Sequence, residues 1–103
     1  MSVNKLNSND FEKEVINFSG TVLLDFYADW CGPCKLLSPI IEEVSREYSN
    51  VKFFKVDVDA DPALAVKFGI VSIPTLLVFK GGKLVSQNVG YCMKDVIVRM
   101  LEA

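Results

Sequence analysis

Apolar and polar residues follow two rhythms along this chain, and the places where the rhythm changes mark out its elements. Residues 3–6 suit a short first strand, after which Phe11, Val15, Ile16 and Phe18 recur at roughly helical spacing. Ser8 or Asn9 can cap that helix, Asn9 with Glu12 is a weak variant of the capping box, and Ser19-Gly20 ends it. Residues 21–28 form a near-continuous apolar run, the pattern of a strand covered on both faces. From 35 to 48 the helical period returns. Leu37, Ile41, Val44 and Tyr48 share one side with Leu36 and Ile40 alongside, and Glu42, Glu43, Arg46 and Glu47 take the other. Pro33 suits the first turn, and Pro39 inside the helix predicts a bend because its ring removes a backbone donor. Residues 51–58 read as a strand. Asp61-Pro62 reads as the cap and first turn of a short helix that reaches Phe68 and stops at Gly69. Residues 75–80 and 83–89 are two strands joined by a Gly81-Gly82 hairpin, and 94–101 is a closing helix with Val96, Ile97, Met100 and Leu101 apolar. The order β-α-β-α-β-α-β-β-α predicts an α/β fold, a mixed sheet with helices on both faces. No repeat or linker divides the chain, so residues 1–103 read as one domain.

Composition narrows the classes. A chain of 103 residues that is 50% apolar can bury a single core without metals or structural disulfides. A net charge of −2 and a pI near 5.0 give no electrostatic case for nucleic acid or an anionic membrane as partner. No apolar run approaches membrane-spanning length, and Met1-Ser2-Val3-Asn4-Lys5 lacks the apolar core of a signal peptide, so a cytoplasmic protein is expected. The chain has no histidine, which removes Ser/His and Cys/His catalysis and imidazole metal sites. Its 3 cysteines are too few for a secreted disulfide framework.

Chemistry concentrates at Trp30-Cys31-Gly32-Pro33-Cys34, the junction between the buried strand and the long helix. A cysteine at a helix start meets unpaired N–H groups and the positive end of the helix dipole, which favour the thiolate. A thiol of pKa about 8.5 is only about 3% ionised at pH 7, and a pKa of about 7 raises that to about half. Cys31, nearer the strand end and expected to be the more exposed, is the candidate nucleophile, and Cys34, one turn on, can resolve a mixed disulfide. A metal knuckle needs about four ligands, and only Cys92 is left to add. Trp30 borders the pair and is expected to shape its surface. Asp25 interrupts the apolar strand, where an unpaired carboxylate is costly or titrates high. Cys92 is read either as a small apolar residue at a helix start or as an accessible thiol open to oxidation or glutathionylation.

Asp25-Phe26-Tyr27-Ala28-Asp29-Trp30-Cys31-Gly32-Pro33-Cys34-Lys35, Pro39, Lys55-Val56-Asp57, Ile73-Pro74-Thr75, Gly81-Gly82 and Gly90 together resemble the thioredoxin family over essentially the whole chain. The resemblance implies the thioredoxin fold, a central mixed five-stranded sheet flanked by four helices, and a general protein-disulfide reductase with no bound cofactor or metal. It implies that Asp25 lies beneath Cys34 and relays its proton, with Lys55 as neighbour. It implies a cis bond at Ile73-Pro74 against the disulfide and Val71-Ser72-Ile73 as the wall that pairs with an extended substrate. Val89-Gly90-Tyr91 would form a further wall, and Gly32-Pro33 would stiffen the ring and admit a close substrate. Implied partners are thioredoxin reductase and disulfide-containing clients such as ribonucleotide reductase, peroxiredoxin and methionine sulfoxide reductase, served by a monomer. Ser72 and Tyr91 depart from the smaller residues common at their positions. Tyr27 stands where tryptophan is frequent, a change expected to matter only to packing. Two rivals remain: a disulfide oxidant or isomerase, against which the Gly32-Pro33 insert weighs, and a binding subunit that uses the fold without its thiols.

Overall fold

Strand β2 (Thr21–Tyr27) lies at the centre of the sheet and is buried on both faces, as its unbroken apolar run requires. The computed structural model describes residues 3–103. Around β2 stand β1 (Val3–Lys5), β3 (Val51–Asp57), β4 (Thr75–Lys80) and β5 (Lys83–Val89), in the order β1-β3-β2-β4-β5. The β1–β3 and β3–β2 pairs are parallel, and β2–β4 and β4–β5 are antiparallel, which makes the sheet mixed. The register sets Asp25 between Lys55 on β3 and Leu76 on β4.

Alternation along β2 sorts the core into two layers. Leu23 faces α1 (Gly32–Glu47) and α3 (Lys94–Glu102), packing with Leu37, Ile41, Val44, Ile97 and Met100. Val22, Leu24 and Phe26 face the other way, against Phe11, Val15, Phe79 and Leu64 of α2 (Ala63–Lys67). Phe11, Phe68 and Phe79 meet edge to face there, with ring centres 5.5 to 5.8 Å apart. Asp25 has the same parity as Leu23, so it lies on the α1 side of the sheet.

The strands and the last helix match the predicted segments to within a residue or two. The first helical segment is different in kind: a 3-10 turn at Ser8–Asp10 runs into a π-helical turn at Glu12–Ile16. The Asn17 N–H reaches back five residues to the Glu12 carbonyl at 2.9 Å. That wider turn keeps Phe11 and Val15 buried and rotates Ile16 outward to 39% exposure. Neither Ser8 nor Asn9 caps it. The Ser8 N–H donates instead to Asp61 Oδ2 at 2.6 Å, so the carboxylate ahead of α2 also holds the first segment while it faces the Ala63 N–H at the start of α2. On α1, Leu37, Ile41 and Val44 are buried as predicted, but Leu36 is exposed.

Candidate active site

Past Tyr27 the chain turns through Ala28-Asp29-Trp30 directly into α1, and Cys31 is the residue that caps the helix. Its backbone is extended (φ −86°, ψ 110°), and its sulfur accepts a hydrogen bond from the Cys34 N–H at 3.2 Å. Pro33 sits in the first turn, where a missing N–H leaves no bond unmade. The Cys31 and Cys34 Cα atoms are 5.3 Å apart and the pair is joined as a disulfide. The Cys31 sulfur therefore lies at the open end of α1, the end of a helix that attracts negative charge. Exposure does not separate the two thiols, because both residues are 4% exposed under Ala28, Val58 and Ile73. The expectation of a more open Cys31 therefore fails. Position separates them instead: Cys31 stands at the helix tip, and Cys34 turns inward.

Inside, Cys34 shares a cavity of about 330 Å³ with Asp25, Tyr27, Ser38 and Lys55. Asp25 is 6% exposed, and its Oδ1 has no hydrogen-bond partner among the described residues. Loss of solvation raises its pKa to about 7, against the pull of the Lys55 ammonium. Lys55 reaches the cavity from the neighbouring strand and lies over the Tyr27 ring, 5.7 Å from its centre. On the outer side, Ile73-Pro74 is cis and Ile73 packs on the cysteines. The Thr75 hydroxyl donates to the Ser72 carbonyl at 2.7 Å, and the Gly90 N–H donates to the Pro74 carbonyl at 2.7 Å. The first closes the 72–75 turn on itself, and the second ties it to the 89–91 loop. Trp30, Val71, Val89 and Tyr91 expose apolar surface on these segments, with Gly32, Pro33 and Ser72 exposed as well.

A thioredoxin family profile matches residues 2–103. A thioredoxin of Pyropia yezoensis is 42% identical over 102 residues, covering 98% of this chain and 95% of the relative. One from Chlamydia muridarum is 49% identical over 83 residues, 81% of each chain, and one from Staphylococcus epidermidis is 40% identical over 103 residues, 99% of this chain and 97% of the relative. The chain belongs to the thioredoxin family.

Thioredoxins are thiol–disulfide oxidoreductases, and the Cys31–Cys34 pair is the redox centre of this one. Its active-site surface includes a residue that sequence reasoning passed over. The Trp30 indole N–H donates to Asp59 Oδ2 at 2.7 Å, and Asp57 Oδ1 accepts from the N–H groups of Asp59 and Ala60 at 3.0 and 3.2 Å. The alternating aspartates after β3 signal a turn held by side-chain bonds. Which of them meets Trp30 is decided only by the packing of that turn beside α1. Of the two readings of Cys92, the structure shows the small apolar residue at a helix start. It is 8% exposed in the core beneath α1 and α3, and burial raises its thiol pKa, with the Asp95 and Asp25 carboxylates adding to the rise. The thiol is not open there.

Proposed function

We propose that the chain is a general protein-disulfide reductase in which Cys31 attacks and Cys34 resolves. The observation that carries this reading is the Cys34 N–H aimed at the Cys31 sulfur at the start of α1, with Cys34 backed by the cavity that holds Asp25. The Cys31 thiolate attacks one sulfur of a client disulfide, the client S–S bond breaks, and one client sulfur leaves as a thiolate. Cys34 then gives its proton to ionised Asp25 and attacks the Cys31 sulfur. The mixed disulfide breaks and the second client sulfur leaves as a thiolate, so two electrons pass to the client for each Cys31–Cys34 disulfide formed. A carboxylate titrating at about 7 is matched to this task, half ionised near neutral pH. Lys55 steadies the ionised form. Thioredoxin reductase returns the disulfide to the dithiol.

Trp30, Gly32, Pro33, Val71, Ser72, Ile73, Pro74, Val89, Gly90 and Tyr91 would bind the client, the 71–73 backbone by strand-like pairing. Ribonucleotide reductase, peroxiredoxin and methionine sulfoxide reductase are proposed clients of a monomer acting in the cytoplasm, where thiols are kept reduced. Reduction of insulin disulfides driven by NADPH and thioredoxin reductase tests the reading. Cys31→Ser should abolish turnover, and Cys34→Ser should stop it at a covalent client adduct on Cys31. Turnover that survives both substitutions would mean the thiols are not the working groups.

A further inference from the structure

Tyr27 lies two residues beyond Asp25 on β2, and Lys55 lies two before Asp57 on β3, with Asp25 in register with Lys55 and Tyr27 with Asp57. Two-residue spacing puts Asp25, Tyr27, Lys55 and Asp57 on one face of the sheet. Tyr27, Lys55, Asp25 and Cys34 line one cavity. The Lys55 Nζ lies 5.7 Å from the Tyr27 ring centre, inside the range of about 6 Å over which a ring face attracts a cation. None of the salt bridges among the described residues involves Lys55. The ring and the Asp25 carboxylate are the groups that attract it there.

We propose that Tyr27 is a positioning residue for the resolving step: its ring holds the Lys55 ammonium at the Asp25 cavity, within reach of the carboxylate that takes the Cys34 proton. The proposal rests on the reading of Asp25 as that proton acceptor. Other charged or titratable groups surround the arrangement from every side. Lys5 of β1, Asp57 of β3 and Asp29 of the turn lie about the Tyr27 phenol, Lys35 of α1 lines the cavity, and the Cys92 thiol at the start of α3 faces Asp25. The phenol contacts, that with Lys5 above all, are lost in Tyr27→Leu and Tyr27→Phe alike, so the comparison of those two variants isolates the ring, while Lys35 and Cys92 are common to every variant.

Two roles for the ring predict opposite signs. A ring that only plugs the cavity would, when removed, admit water, favour the charged carboxylate and lower the Asp25 midpoint. A ring that holds Lys55 would, when removed, release the cation and raise it. The test follows Asp25 by carboxyl-carbon NMR titration of the reduced protein, and resolution by stopped-flow release of a client from its mixed disulfide with Cys31. Both are run across pH for Tyr27→Leu and Tyr27→Phe, each with Lys55 and with Lys55→Met. Tyr27→Leu should raise the midpoint by about half a pH unit, which slows resolution about threefold well below the midpoint. Tyr27→Phe keeps the ring and loses only the phenol contacts, so the rise should appear in Tyr27→Leu relative to Tyr27→Phe, and that difference should vanish in the Lys55→Met background. If Tyr27→Leu does not fold, Tyr27→Met removes the ring equally well. A downward shift, no shift, or the same shift without Lys55 overturns the proposal. If Asp25→Asn leaves the resolution profile unchanged, the proton-acceptor reading is overturned instead, and the NMR midpoints still report separately on the Tyr27–Lys55 coupling.

Discussion

Cys92 directly follows the exposed Tyr91, yet it is 8% exposed, because the chain enters the core just before α3 begins. Exposure does not separate it from Cys31, which is 4% exposed; what does is its place among the core residues of α1 and α3, away from the tip of α1, and its raised pKa. Brief alkylation of the reduced native protein should therefore label Cys31 and leave Cys92 unmodified, whereas in denaturant all 3 cysteines should react. Mass spectrometry of the peptides reads the outcome, and native labelling of Cys92 at the rate of Cys31 would contradict it. Residues of this kind are hard to read in sequence. A small apolar residue beside a loop fits either side of the surface, and the choice depends on which way one turn of backbone faces. Asp59 is the converse case, an ordinary surface aspartate until the fold sets it against the Trp30 indole.

Elements were legible where the signal is local. The hairpin between β4 and β5 was visible in Gly81-Gly82, and both glycines have positive φ, 59° and 81°. They are not equivalent. A Cβ on Gly81 would meet nothing closer than the Ser19 carbonyl at 3.9 Å, whereas one on Gly82 would run into the Ile16 carbonyl. The second glycine is where the hairpin touches the π-helical turn. Gly81→Ala should cost about 1–2 kcal/mol for the left-handed backbone, and Gly82→Ala about 1–3 kcal/mol more for the crowding. Denaturant unfolding of the two variants measures the difference, and equal losses would refute the contact. The π-helical turn itself was not legible, because Phe11, Val15 and Ile16 fit an ordinary helical stripe. Both its ends are met by distant segments: the Asp61 carboxylate takes the Ser8 N–H, and Gly82 lies where a Cβ would run into the Ile16 carbonyl.

At the scale of the whole molecule, the fold carries an acidic group in its core, and this makes stability depend on pH. Asp25 titrates at about 7 in the native state against 3.8 for an ordinary aspartate. Between those values the native state binds more protons than the unfolded chain, so stability falls as pH rises and levels off above the native pKa. Asp25→Asn removes that dependence. It should stabilise the protein by up to about 4 kcal/mol at pH 8 and by close to nothing near pH 4. Urea unfolding of both proteins at the two pH values checks this, and a variant less stable than wild type at pH 8 would overturn it.

The sequence by itself determined the strands, the long helix that starts at the cysteines, the mixed sheet and the pairing of Cys31 with Cys34. Each of these rests on periodicity, a turn residue or a short spacing, all of which act between near neighbours in the chain. The placing of Asp25 beneath Cys34 with Lys55 beside it came from the family resemblance; tertiary structure alone decided that both cysteines are equally buried, that Asp59 holds Trp30, and that Cys92 lies in the core. Those outcomes depend on which distant segments shield a group from water, and burial and charge environment are properties of the assembled layers.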